Sequence, residues 1–192
     1  VSVGDHDLVK PALERLGIEV RLGAMVTDVD ATGLVVREAD GRHTRIEAVT
    51  KVWAAGVQAS PLAKVLADQV GVTVDRAGRI PVQSDLTLPG HPEVHVIGDM
   101  AALHDLPGVA QVAIQGARHS VAEIRRALAG EPVGMPFTYH DKGSMATISR
   151  FSAIAQIGRL RFTGFIAWVL WLGVHLVYII GFKSRVTTLL DW

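Results

Sequence analysis

The run from Phe162 to Phe182, FTGFIAWVLWLGVHLVYIIGF, contains no Asp, Glu, Lys or Arg. No other stretch constrains the fold as strongly. It is as long as the ~20 apolar residues that cross a bilayer core of roughly 30 Å. Arg159 and Arg161 precede it and Lys183 and Arg185 follow it, so basic flanks at both ends give no orientation. Gly164, Trp168, Trp171, His175 and Tyr178 fall on one helical stripe. The tryptophan, histidine and tyrosine side chains among them combine an apolar body with a polar tip. Such a stripe suits a helix lying in the membrane interface or one packed on its own protein. A single helix over 162–182 is therefore expected, in contact with membrane, with the interfacial reading preferred to a span. A buried core helix is the plain alternative.

The rest of the chain is ordinary in bulk. Its 192 residues are enough to bury a core and allow one large domain or two small ones. Lys plus Arg and Asp plus Glu are 19 each, a balance that argues against nucleic acid and against a polybasic tether. The absence of cysteine excludes disulfides, zinc thiolates, iron–sulfur clusters and a dithiol redox centre.

Hydrophobic periodicity predicts a helix over 7–17 with Asp7 as N-cap and Gly17 as stop, then a strand at 18–22. Three strands follow in MVTDVD, GLVVRE and HTRIEA, the last two joined across Asp40-Gly41. VTKVWAAG (49–56) reads as an apolar strand ending in small residues. Ser60-Pro61 starts a helix to about Val70. VHVIGDMA (94–101) reads as a strand over 94–98. A long helix spans 109–130, with a small-residue face of Val112, Ala113, Gly116, Ala117, Ser120, Val121 and Ile124. Several short strands fill 137–160, with Gly143 and Gly158-Arg159 at turns. The alternation predicts an α/β fold, opening on a helix where a βαβ unit would open on a strand.

Two short segments carry the candidate chemistry. Asp99, after Gly98 at the carboxyl end of a strand expected to be parallel, is placed to accept hydrogen bonds from a sugar or ribityl hydroxyl. Gly98 lets a ligand approach the backbone. AQVAIQ (110–115) opens the long helix, and its free N–H groups and positive dipole end favour negative charge. Gln111 and Gln115, one turn apart, would share a face and reach a carbonyl. Each also has an ordinary reading, as a solvated strand-end aspartate and two surface glutamines. WAAG (53–56) ends its strand in residues that would let a flat ring or another backbone come close, which makes Ala55 and Gly56 candidate cofactor contacts. His91 and His95, in proline-broken sequence, do not make a metal site, and no G-x-S-x-G elbow supports a hydrolase. No G-x-G occurs anywhere, so the usual phosphate-binding loop is absent from these residues.

In order, VWAAGV, GRIPVQSDLTLPGHPEVHVIGDMA, PGVAQVAIQGAR, KGSMATISR and the apolar tail resemble the type II NADH dehydrogenases, the non-proton-pumping NADH:quinone oxidoreductases. The tail is most similar to the actinobacterial branch. The A-Q-x-A-x-Q segment after a strand-G-D element is the most specific part. The resemblance implies two Rossmann-like dinucleotide domains with FAD and NADH as cofactors, and a C-terminal membrane-anchoring region. It implies quinone and membrane lipid as partners, a homodimer as an option, no metal, and a place in a respiratory chain at the cytoplasmic face of the cell membrane. Family members are longer and carry two G-x-G-x-x-G loops in their first half. The chain therefore resembles a C-terminal part: 1–52 the end of the NADH domain, 53–134 the returning part of the FAD domain, and 135–192 the membrane module. On this reading the isolated chain holds FAD poorly.

By the same resemblance Gly98 and Asp99 match the segment that binds the FAD ribityl chain. Ala110, Gln111 and Val112 belong to the segment facing the isoalloxazine, and Ala55 and Gly56 to the link between the two nucleotide domains. Gln111 matches a glutamine lining the quinone site, and Gln115 joins it as a candidate catalytic residue. Ile114 stands where some relatives have histidine, which leaves the source of quinone protons open. The competing readings are a flavoprotein like the pyridine-nucleotide disulfide reductases and a non-catalytic membrane-tethered binding module.

Overall fold

A computed structural model describes residues 6–54, 56–104, 106–179 and 181–191. The fold is mixed α/β, in two compact units. One joins Val1–Trp53 to Lys142–Trp192 and the other is Ala54–Asp141.

The first unit opens on α1 (His6–Glu14). Asp7 lies inside this helix and does not cap it, and the helix stops three residues before Gly17. The strand expected at 18–22 does not form. Glu19 and Arg21 there pair with each other at the surface at 2.7 Å, and no described strand lies alongside to complete a ladder. β1 (Met25–Val29), β2 (Gly33–Arg37) and β3 (His43–Glu47) form an antiparallel sheet in that order. Asp30 fixes the β1–β2 turn: its carboxylate accepts from the backbone of Thr32 and Gly33 and from Arg45 of β3 at 2.8 Å. The Arg45 guanidinium, followed by the Thr32 groups, holds that carboxyl well below the usual carboxylate range.

The strand expected over 49–56 is also missing. Val49 and Val52 stand 94% and 84% exposed, and no described strand pairs with them. The segment instead leads out of the first unit.

In the second unit α2 (Pro61–Val70) begins as expected, with Ser60 accepting from Leu62 N and Pro61 at the first position. Gly71 ends it in the left-handed region, which glycine enters without steric cost. β4 (Ile80–Pro81), β5 (Thr87–Leu88), β6 (His91–His95) and β7 (Ala101–Ala102) follow. β5 pairs with β6 antiparallel and β4 with β7 parallel. Ala63 and Ala67 of α2 bury against Ile80, Leu88 and Val96. α3 (Ala110–Ala129) ends at left-handed Gly130. Its buried face is Gly116, Ser120 and Glu123, whereas Val121 and Ile124, expected on that face, are exposed. Gly116 allows the close approach, since a Cβ there would meet Leu86 Cδ1 at 3.3 Å.

Returning to the first unit, β8 (Ser144–Ser149), β9 (Ser152–Ile157) and β10 (Leu160–Thr163) form an antiparallel meander with β9 central. The helix expected over 162–182 is divided: Phe162 and Thr163 belong to β10, α4 runs Gly164–Tyr178, and α5 runs Phe182–Asp191. Arg185 of α5 donates to the carbonyls of Ile179 and Val177 at 2.9 and 3.2 Å, satisfying backbone groups that a continuing helix would have bonded. At 1.5 Å per residue α4 is about 22 Å long, short of a bilayer core. Among the described residues no helix is long and apolar enough to cross a membrane. Trp168 and Trp171 pack against Ala153, Ala155 and Ala167, so this part of the aromatic stripe faces the protein's own sheet, whereas Tyr178 is exposed. Ile166 and Val177, turned away from that contact, are 64% and 71% exposed, and the exposed Phe165 ring stacks on Trp168.

Candidate functional site

The site lies within the Ala54–Asp141 unit. β6 is held by β5, and Val96 N donates to Leu86 O at 2.9 Å, which carries the chain to Gly98. There it turns: Gly98 has φ 67°, and Gly98–Met100 form a short 3₁₀ turn before β7. Asp99 therefore sits between an antiparallel-paired strand and a parallel-paired one. The expected direct placement at the end of a parallel strand is corrected to this turn. A Cβ on Gly98 would sit 3.3 Å from Ala113 Cβ, in addition to the strain of its φ. Only glycine lets α3 come this close.

The loop before α3 brings Gly108 beside the carboxylate, since a Cβ there would lie 3.4 Å from Asp99 Oδ1. α3 starts after Val109, which offers no side-chain cap, so its first N–H groups depend on other acceptors. Gly98, Asp99, Gly108, Val112, Arg79 and Phe137 line one cleft open to solvent. Asp99 accepts no hydrogen bond from a described residue. Ala110 is exposed in the first turn of α3. Gln111 follows it, and its Oε1 is buried without a partner among the described residues. An orphaned acceptor of that kind calls for a donor from a ligand or water. Gly56, at φ 81°, does not line the cleft, and Ala55 lies outside the described residues.

Gln115 has a different environment. Its Nε2 donates to His140 O at 2.9 Å and its Oε1 accepts from His140 N at 3.0 Å. This two-point clasp ties the segment after α3 back to the helix. Further along, Phe137 N donates to Ser84 O at 2.7 Å, and the Phe137 ring meets His119 edge-on. Glu123, 3% exposed, accepts from Gly134 N at 2.6 Å, Met135 N at 3.1 Å and Arg126 Nη1. Burial pushes its carboxyl up, and the three donors more than offset that, leaving it below the usual range. Glu123, His140 and Phe137 were not singled out in the sequence. Glu123 had one local signal, a charged residue on the inward stripe of a helix. The other two depend on a chain return that no local pattern announces. No group of three metal-ligating side chains occurs among the described residues.

A cleft with a free carboxylate, glycines at the points of close approach and a helix N-terminus at its edge is a ligand site of the kind found in dinucleotide-binding folds. The family model for pyridine nucleotide-disulphide oxidoreductases matches residues 6–117, and the chain belongs to that family. Within it, the chain is similar to type II NADH:quinone oxidoreductases. It is 57% identical over 182 residues to Ndh of Mycobacterium tuberculosis, covering 94% of this chain and 39% of that protein. NdhA of the same organism is 51% identical over 184 residues, with the same 94% and 39%. The structure of NDH2 from Plasmodium falciparum in complex with NADH superposes with a TM-score of 0.82 at 16% identity, covering 99% of this chain and 54% of that one. At that identity the likeness is one of fold. The chain thus spans about two fifths of the length of these curated relatives.

Proposed function

We propose that this chain provides the flavin-facing return segment and the membrane-docking face of an FAD-dependent enzyme that passes electrons from NADH to a membrane quinone without pumping protons. The observation that carries the reading is the placing of Asp99, Gly98, Gly108 and Val112 around one cleft at the start of α3. The residues present fit the cofactor. Asp99 offers an unused acceptor for ribityl hydroxyls, the first turn of α3 offers the N–H groups of Ala110 and Gln111 for negative charge, Val112 N being taken by Val109 O, and Gln111 offers a buried, unpartnered carbonyl.

When bound, the flavin supplies the two-electron redox chemistry. The protein's part is to hold and orient it. Gln111 lies one residue into α3 and is assigned to the quinone side. Gln115, with its amide engaged by His140, acts by positioning that segment. In the domain assignment, 1–52 belongs with NADH binding, 53–134 with FAD binding and 135–192 with the membrane, with Gly56 and Ala55 in the connecting segment. The change of compact unit at Trp53 supports the first boundary.

Lipid is the proposed occupant of the exposed face of α4, at the cytoplasmic side of the membrane. Ile166, Val169 and Val177 form an apolar surface away from Trp168 and Trp171, which pack on β9, as an interfacial helix requires. Sedimentation with phospholipid vesicles is expected to carry the protein down, and Ile166→Glu with Val169→Glu to release it. Self-association without vesicle binding would instead assign the face to a second copy of the chain.

The catalytic reading is tested on the native polypeptide bearing this sequence. It is expected to carry a flavin absorbance band that NADH bleaches and a quinone restores. A protein whose flavin is untouched by NADH contradicts the proposal.

A further inference from the structure

Arg79 is the one cation lining the cleft among the described residues, and it does not neutralise Asp99. Its Nε donates to Asp75 Oδ2 at 2.7 Å, and its backbone N to Asp75 Oδ1 at 2.9 Å. Asp75 also accepts from Ala77 N at 2.9 Å, and Gly78 N closes the turn on Asp75 O. One carboxylate thus fixes both the turn and the inner edge of the guanidinium. The outer Nη groups donate to no described residue.

The position follows from strand register. Arg79 immediately precedes β4, whose Ile80 is fully buried, and alternation sends Arg79 away from that core. Ile80 pairs in parallel with Ala101, which sets Arg79 alongside the 3₁₀ turn that carries Asp99. A carboxylate and a guanidinium line one cleft, each with unused hydrogen-bonding capacity and no ion pair between them. Such a pair is matched by a ligand that presents hydroxyl donors and, a few bonds away, an anionic group.

We infer that Arg79, preset by Asp75, binds the phosphate end of the flavin's ribityl phosphate while Asp99 takes the ribityl hydroxyls. Arg79 is then a cofactor-binding residue and Asp75 its positioning residue. The inference rests on the flavin reading of the cleft, and the experiment separates the two.

The native polypeptide bearing this sequence, stripped of its flavin, is titrated with riboflavin 5′-phosphate, riboflavin and inorganic phosphate, following flavin fluorescence and the amide resonances of Gly98 and Asp99. The 5′-phosphate is expected to bind roughly tenfold or more tightly than riboflavin, the range of a charge-assisted hydrogen bond. Arg79→Leu is expected to remove that preference and leave riboflavin binding unchanged. Arg79→Lys is expected to keep part of it, and Asp99→Ala to weaken both flavins. Inorganic phosphate alone is expected to bind more weakly than the 5′-phosphate.

If both flavins bind equally, or if Arg79→Leu weakens both by the same factor, the phosphate assignment is overturned while the flavin site stands. Inorganic phosphate matching the 5′-phosphate would also overturn it, as a bare anion site. If neither flavin shifts Gly98 or Asp99, the flavin reading falls and the role of Arg79 with it.

Discussion

Asp99 is held by backbone alone. Gly98 at φ 67° turns the chain, β4 and β7 pin the turn, and Gly108 leaves room at the carboxylate. Replacing it by alanine is therefore expected to leave the fold intact and to weaken flavin retention in the native polypeptide. Asn, which keeps an acceptor without the charge, is expected to fall between. Flavin content after gel filtration, with the Tm as control, checks this. A flavin content unchanged in Asp99→Ala would remove the residue from the site. At this scale much was legible. Gly98 and Asp99 of the G-D turn and Val112 of A-Q-x-A-x-Q line one cleft, a juxtaposition for which both segments carried a local signal. The clasp between Gln115 and His140 was not legible, since His140 lies twenty-five positions away on a return that only the folded chain reveals.

Among elements, α3 organises its unit. Its small face, centred on Gly116 and Ser120, admits Leu86 and Ile97, and Glu123 fastens the returning chain at Gly134 and Met135. Glu123→Gln removes the charge that binds Arg126 and weakens two backbone bonds in a buried place. A loss of about 2 kcal/mol is expected, on the scale of disrupted buried hydrogen bonds to a charge. Denaturant unfolding checks it, and a change within error would show that the segment holds by other means. Helix α3 was readable to within a residue at each end from periodicity and the Gly130 stop. The strands at 18–22 and 49–56 were not, because an apolar run becomes a strand only where another strand accepts its hydrogen bonds. The apolar tail misled for a related reason. Composition showed the absence of charge, but the division at 179–181 depends on Arg185 reaching back to the α4 carbonyls.

Across the whole molecule, carboxylates such as Asp30, Asp75 and Glu123 are held below the usual range. A depressed native pKa means the unfolded chain binds protons more readily as pH falls. Their contribution is complete above the unfolded carboxylate range, about pH 4, and is lost as pH drops through the native values. The Tm is expected to hold from neutral pH to about 5 and to fall below about 4, with Asp30→Asn less sensitive than the parent. A Tm equally acid-sensitive in that variant would place the acid lability elsewhere.

The central claim joins this cleft to two electron transfers, one from NADH and one to quinone. Its most direct test is rapid mixing of the native flavin-loaded polypeptide and its Gln111→Ala variant, following flavin absorbance through both half-reactions. Bleaching by NADH is expected at the parental rate in the variant, with reoxidation by quinone slowed about tenfold or more, the scale of a lost positioned hydrogen bond at a reacting group. Equal slowing of both half-reactions, or a variant indistinguishable from the parent, would contradict the account.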